Sequence, residues 1–224
     1  MATATPPDQA VAEIGEHRFV IRNLGWDGYQ VLLKVVGDRG PRLSYAHGDV
    51  ELMSPLFPHE GFRRRLGRMV ETLTEELDIP MKSAGSSTLD REDLDRGVEA
   101  DESYYLANVG RVLDKKQINL EVDPPPDLAI EIEITNSILK KVDIYARIGV
   151  PELWKFDGER LVVFLLGPDG RYVPSDSSAA FPFVPMNEIE RFLNEGQAID
   201  ETRWVRSFRA WVRQVLLPLR RDPE

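Results

Sequence analysis

The sequence predicts an α/β domain in which a sheet is flanked by helices, and three observations lead there. Strand-like runs alternate with helical runs along the chain. The strand-like runs concentrate β-branched and aromatic residues, and the helical runs repeat apolar residues at helical spacing. With 224 residues, 42% of them hydrophobic, the chain is long enough to bury the core of one domain. We expect an N-terminal arm over residues 1–20, a single domain over residues 21–217 and a short C-terminal tail over residues 218–224.

The first helix falls around Trp26 to Val36. "RLSYAHGDVELMSP" then alternates apolar and polar residues on either side of His47-Gly48, a hairpin whose second strand carries Glu51. From His59 to Leu77, Phe62, Leu66, Met69, Val70, Leu73 and Leu77 recur at helical spacing, with Arg63, Arg64 and Arg68 on the opposite face. "MKSAGSSTLD" and "GVEADESYYLAN" are short strands separated by the charged connection "REDLDRG". "LEVDPPPDLAIEIEIT" is a strand led by prolines, placed at its entrance where no ladder donor is needed. A helix from Ser137 to Ile148 ends at Gly149, a C-cap residue. Two more strands meet at Asp157-Gly158, and a turn follows at Asp169-Gly170. Helices over Met186 to Asn194 and Glu201 to Leu217 close the chain, the last with Trp204, Phe208 and Val212 at helical spacing, an apolar face for docking on its own domain or for an intersubunit contact.

Composition narrows the chemistry. The chain has no Cys, which excludes disulfides and thiolate metal sites, so a metal would be held by oxygen ligands or by His17, His47 and His59. A formal net charge of -10 argues against coating nucleic acid by bulk electrostatics. Residues Met1 to Gln9 are polar, and no apolar run approaches the roughly 20 residues needed to span a bilayer. We therefore expect a cytoplasmic protein with no membrane partner.

The run "IEIEITNSILKKVDIYARIGV" concentrates the chemistry. On its strand Leu128, Ile130, Ile132 and Ile134 share one face, while Asp127, Ala129, Glu131, Glu133 and Thr135 share the other. A solvent-exposed acidic face satisfies that alternation, and so does a buried site. In the helix that follows, Ile138, Val142 and Tyr145 define an apolar stripe with Lys141 beside it, so Lys141 either snorkels to water or folds back toward the carboxylates. Asp101 lies in or at the end of a preceding strand. An Asp, a Glu and a Lys on adjacent elements match the needs of metal-assisted phosphodiester hydrolysis. Mg²⁺ takes a few carboxylate oxygens plus waters and phosphate, and a Lys assists the attacking water or neutralises charge.

The runs "RLSYAHGDVELMSPLFPHE", "GSSTLDREDLDRGVEADESYYLAN" and "PPPDLAIEIEITNSILKKVDIYARIGVPELWKFDGERLVVF" resemble the bacterial Uma family of restriction-type endonucleases, within the PD-(D/E)XK nuclease superfamily. The resemblance covers roughly residues 25–215 and is strongest over 97–166. It implies a restriction-endonuclease-like core, with a central mixed sheet flanked by helices, an N-terminal hairpin and C-terminal helices. It also implies a hydrolase acting on DNA, with Mg²⁺ (or Mn²⁺) as cofactor and a homodimer suited to cutting both strands. Asp101 stands at the first acid of the motif, with Ala100 where the motif has proline. Glu131 stands at the second acid, Glu133 occupies the usual Lys position, and Lys141 is similar to a displaced lysine. By this resemblance Asp101, Glu131 and the Ile132 carbonyl would hold the metal, and Lys141 would orient or activate the attacking water. Glu133 would hold a second metal or position Lys141, and Glu51 would approach as an extra ligand. His59, which also matches a family position, reads as a helix-start or packing residue.

Two further readings remain open on the residues alone. One is a non-catalytic protein that keeps the nuclease fold for nucleic-acid binding or protein association. The other is an acidic α/β domain whose carboxylates sit on a wetted sheet face.

Overall fold

The computed structural model describes residues 16–37 and 40–221. Strand β1 (His17–Ile21) and helix α1 (Gly25–Val36) precede the hairpin of β2 (Arg42–Ala46) and β3 (Asp49–Ser54). Its turn residues His47 and Gly48 take positive φ, 52° and 84°, the backbone that a tight hairpin turn requires. Helix α2 (Phe57–Glu76), with Pro58 in its first turn, leads to strands β4 (Lys82–Ser83), β5 (Thr88–Arg91), β6 (Arg96–Glu99) and β7 (Glu102–Tyr105). Then come α3 (Val109–Val112), β8 (Leu128–Ile132), α4 (Lys141–Ile148), β9 (Glu152–Phe156), β10 (Leu161–Leu166) and β11 (Tyr172–Ser175). Helices α5 (Met186–Glu195), α6 (Glu201–Trp211) and α7 (Leu217–Arg221) end the described chain, with a π-helical turn (Val212–Leu216) joining the last two. Among the described residues no helix is long and apolar enough to cross a membrane.

These strands form two sheets. The first is antiparallel, in the order β1-β3-β2-β6-β5. The second is mixed, in the order β11-β10-β9-β8-β7-β4, with β8 and β9 parallel and the other pairs antiparallel. The parallel pair exists because α4 carries the chain back between two neighbouring strands, the crossover that parallel pairing demands. The fold is a restriction-endonuclease-like α/β core, helices flanking a mixed sheet, with a second sheet built on the N-terminal hairpin.

The two short strands expected over residues 81–108 are each divided between the sheets. β4 and β7 belong to the mixed sheet, whereas β5 and β6 belong to the antiparallel one. The chain therefore passes from one sheet to the other at Ala100-Asp101, both fully buried. Residues 17–21, at the end of the expected arm, form an edge strand pairing with β3 from His17↔Ser54 to Ile21↔Val50. Residues 1–15 of that arm lie outside the described residues, as do residues 222–224 of the expected tail, while residues 218–221 are helical.

Three apolar clusters hold these layers. The largest joins Leu66, Met69 and Leu73 of α2 to Ile130 and Ile132 of β8, Trp154 and Phe156 of β9, and Trp204 and Phe208 of α6. The last helical stretch thus docks its apolar face on its own domain. A second cluster places Ile144, Tyr145 and Ile148 of α4 against Ala129 and Leu153 on the opposite face of the mixed sheet. The third stacks Tyr29 of α1 on Tyr45 of β2, ring centroids 4.9 Å apart, over the antiparallel sheet. Gly97 makes room for it, since a Cβ there would stand 2.4 Å from the Tyr29 hydroxyl.

Helix α4 begins at Lys141 and not at Ser137. Glu51 captures the Ser137 hydroxyl at 2.9 Å and the Leu139 N–H at 2.7 Å, keeping this segment extended. The buried stripe is consequently Lys141, Ile144, Tyr145 and Ile148, while Ile138, expected on the apolar face, is 53% exposed.

Candidate active site

β8 is buried on both faces, and its acidic side is covered by α4. This excludes the wetted-face reading, because Glu131 is only 1% exposed. An isolated carboxylate at such a depth would cost several kcal/mol, so each oxygen should have a partner. Lys141 Nζ forms a close ion pair with Glu131 Oε1, and the Tyr145 hydroxyl donates to Oε2 at 2.8 Å. Lys141 and Tyr145 reach one carboxylate together because residues four apart on a helix share a face.

Asp101 sits where the chain changes sheets, against the end of β8. The Ile132 N–H donates to its Oδ2 at 2.8 Å, and His59 Nε2, from the first turn of α2, lies 3.3 Å from the same oxygen. Arg42 Nε stands 3.9 Å from Oδ1, which is buried without a hydrogen-bond partner. Both ring nitrogens of the fully buried His59 also lack one.

Proton affinities follow from these contacts. Burial pushes Glu131 up, to about 7, with the Asp101 charge adding to it against the opposing pull of Lys141. Burial alone would also raise Asp101, but the adjacent His59, then Lys141 and the Ile132 N–H, hold it below the ordinary carboxylate value. Lys141 is raised: Glu131 and Asp101 outweigh the effect of burial and keep the ammonium charged. The same logic raises His59, where burial is outweighed by Asp101 and, further off, by Glu16 and Glu131.

Glu51 and Glu133 lie at the margins of this centre. Arg18 bridges Glu51 Oε1 and Glu16 Oε2, at 2.6 Å each, and the other Glu51 oxygen holds the Ser137 and Leu139 donors. With both oxygens engaged, Glu51 ties β1 and β3 to the segment that delivers Lys141. Glu133 lies one residue beyond β8 and pairs with Lys155 of β9 at 2.6 Å, so Lys141 is positioned by Glu131 and not by Glu133. The Ile132 peptide meets Asp101 through its N–H.

Sequence reasoning left four residues out of the site: Glu16, Arg18, His59 and Tyr145. His59 precedes Phe62 and Leu66 on the buried face of α2, and Tyr145 falls four residues after Lys141, so both positions carry a periodic signal. Glu16 and Arg18 carry none, since only pairing of β1 with β3 brings them here. Among the described residues, no group of three or more His, Asp or Glu side chains is arranged to hold a metal ion. The donors gathered here are two carboxylates on adjoining segments. Asp101 Oδ1 has no hydrogen-bond partner, and each Glu131 oxygen, with a single donor on it, keeps a second lone pair. That set fits Mg²⁺, which binds through one or two carboxylates and fills its other positions with water and phosphate.

A cleft of about 310 Å³, lined by Glu133, Ser137, Lys141, Asp143 and Lys155, opens beside the pair. The family model Uma2, described as "Putative restriction endonuclease", matches the chain over residues 26–199. No curated protein matches it.

Proposed function

The chain belongs to the Uma2 family, and from that premise we propose that it is a metal-dependent endonuclease hydrolysing phosphodiester bonds in DNA. The observation that carries this reading is the burial of Asp101 and Glu131 side by side, with Lys141 on Glu131 at the wall of an open cleft. Carboxylates kept at this depth carry a desolvation cost that a purely structural strand would avoid with apolar residues.

Asp101 and Glu131 would hold Mg²⁺ or Mn²⁺, with the Ile132 carbonyl as a further oxygen donor. When bound, the ion supplies charge neutralisation at the phosphate and lowers the pKa of a bound water. His59 and the Ile132 N–H keep Asp101 ionised and oriented. Tyr145 and Lys141, one on each oxygen, hold the Glu131 carboxylate in place. Lys141, at the wall of the cleft, would orient the attacking water or stabilise charge developing on the phosphate. Cleavage of both strands calls for two such sites, which a homodimer supplies; sedimentation of the protein checks this.

The test is cleavage of supercoiled plasmid with Mg²⁺, with Mn²⁺ and with chelator, for the wild type beside Glu131→Ala. Metal-dependent nicking that falls on the order of 10²-fold or more in the variant is expected. Undiminished cleavage by Glu131→Ala overturns the assignment. A second reading, a nuclease fold retained for binding, is favoured by the engagement of both Glu131 oxygens. Tight DNA binding without calorimetric uptake of either metal would select it.

A further inference from the structure

Further along α4 lies a larger cleft, about 550 Å³, whose lining includes Arg96, Arg147 and Arg171 together with Val142, Asp143 and Asp169. It adjoins the site, because Val142 and Asp143 also line the cleft at Lys141. Arg147 follows Lys141 by six residues, about 9 Å along the helix at 1.5 Å per residue.

Many surface arginines are tied to a carboxylate, while others such as Arg64, Arg111 and Arg206 carry no ion pair among the described residues; what sets this cleft apart is that its arginines line one cavity. Arg22, Arg68, Arg91, Arg191, Arg209 and Arg213 each pair with a carboxylate. Arg147 and Arg171 have no such partner among the described residues, although two aspartates line the same cleft. Asp169 is occupied within its own turn, where it accepts the Arg171 N–H at 3.2 Å. Arg96 is fixed by the Asp95 carbonyl at 2.7 Å, the Leu94 carbonyl at 3.4 Å and the ring of His47, so it lines the cleft as a held charge while Arg147 and Arg171 are the free ones. In a chain with 38 acidic and 28 basic Lys and Arg residues, three arginines lining one cavity against two aspartates, with Arg147 and Arg171 free of a carboxylate partner, make a local excess of positive charge. Guanidinium is the side chain best matched to phosphate, because its donors engage two oxygens at once.

We infer that this cleft binds backbone phosphates of the nucleic-acid strand flanking the scissile position. The inference rests on the nuclease reading above. At roughly 3.4 Å of duplex axis per nucleotide, the run from Lys141 to Arg147 covers about three nucleotides. The contacts carry no base readout, so they strengthen binding equally for all sequences.

The test measures binding of a fluorescein-labelled DNA duplex by anisotropy in chelator, and KM and kcat for metal-dependent cleavage of the same duplex. The full chain is compared with Arg147→Ala/Arg171→Ala and with Arg171→Glu, substitutions at exposed positions, with the fold checked by circular dichroism. Binding at least tenfold weaker, a salt slope shallower by about 2 for the double variant, and a raised KM at unchanged kcat are expected. Unchanged affinity and KM, with the wild type still cleaving, overturn the phosphate cleft and leave the nuclease reading standing. A wild type that neither binds nor cleaves the duplex overturns both.

Discussion

β8 turns Leu128, Ile130 and Ile132 toward α2 and α6, and Ala129 and Glu131 toward α4. Both faces are buried, yet they are stabilised by different physics. The apolar face gains from leaving water, at about 25 cal/mol per Å² of buried surface, and needs no particular partner. The acidic face gains nothing from burial itself and exists only while Lys141, Tyr145, His59, Arg42 and the Ile132 N–H remain in place. The first face is a foundation that tolerates aliphatic exchange, whereas the second is a set of matched charges in which each member depends on the others.

The largest expected effect breaks the acidic face. Lys141→Met leaves Glu131 buried without its cation and should cost about 3–5 kcal/mol near pH 8. The cost should shrink toward pH 5, because Glu131 then carries a proton. Sign and window follow from linkage. A carboxyl whose folded pKa is about 7, against an ordinary 4.5, binds more protons when folded, so its contribution is present below pH 4.5 and lost as pH rises through 7. Metal-free Glu131→Gln should flatten the fall in wild-type stability across that window, leaving a contribution of the same sign from the raised His59. Urea unfolding at a series of pH values checks both variants, and a pH-independent loss in Lys141→Met would show that Glu131 is not the group left uncompensated.

Ile130→Ala probes the other face. It should cost about 3 kcal/mol, the usual scale for deleting a buried aliphatic side chain, with the same value at pH 5 and pH 8. Its cleavage rate per folded molecule should match wild type. A pH-dependent cost would mean that the two faces are coupled through the strand.

The smallest effect lies at the margin. Ser137→Ala removes one of the donors that Glu51 gathers and should cost about 1 kcal/mol. If Glu51 acts by holding the segment before α4, cleavage should slow as well, through kcat and not KM. Unfolding curves and steady-state kinetics on one preparation separate the two outcomes.

Local periodicity was enough to mark much of this molecule. Alternation along β8, helical spacing on α2 and α6, and the turns at His47-Gly48 and Asp157-Gly158 depend on residues within a few positions of one another. Such patterns survive in a linear reading because side-chain direction repeats every 2 or 3.6 residues. Asp101, Glu131 and Lys141 were marked as candidates by residue type and by the family resemblance rather than by periodicity, which left an exposed acidic face equally open. The start of α4 was misplaced because Glu51, 86 positions before Ser137, determines where that helix begins.

The sequence by itself determined the α/β class, the periodic core and the chemical inventory of oxygen donors without thiols. Only the tertiary structure decided that the chain changes sheets at Asp101, that β1 delivers Arg18 to Glu51, that His59 stands against Asp101, and that three distant arginines line one cleft. The difference has one physical cause. Hydrophobic burial is non-directional and is announced by local pattern, whereas a buried charge is tolerable only beside its counterpart, and that counterpart can lie anywhere in the chain that folding brings within a few ångströms.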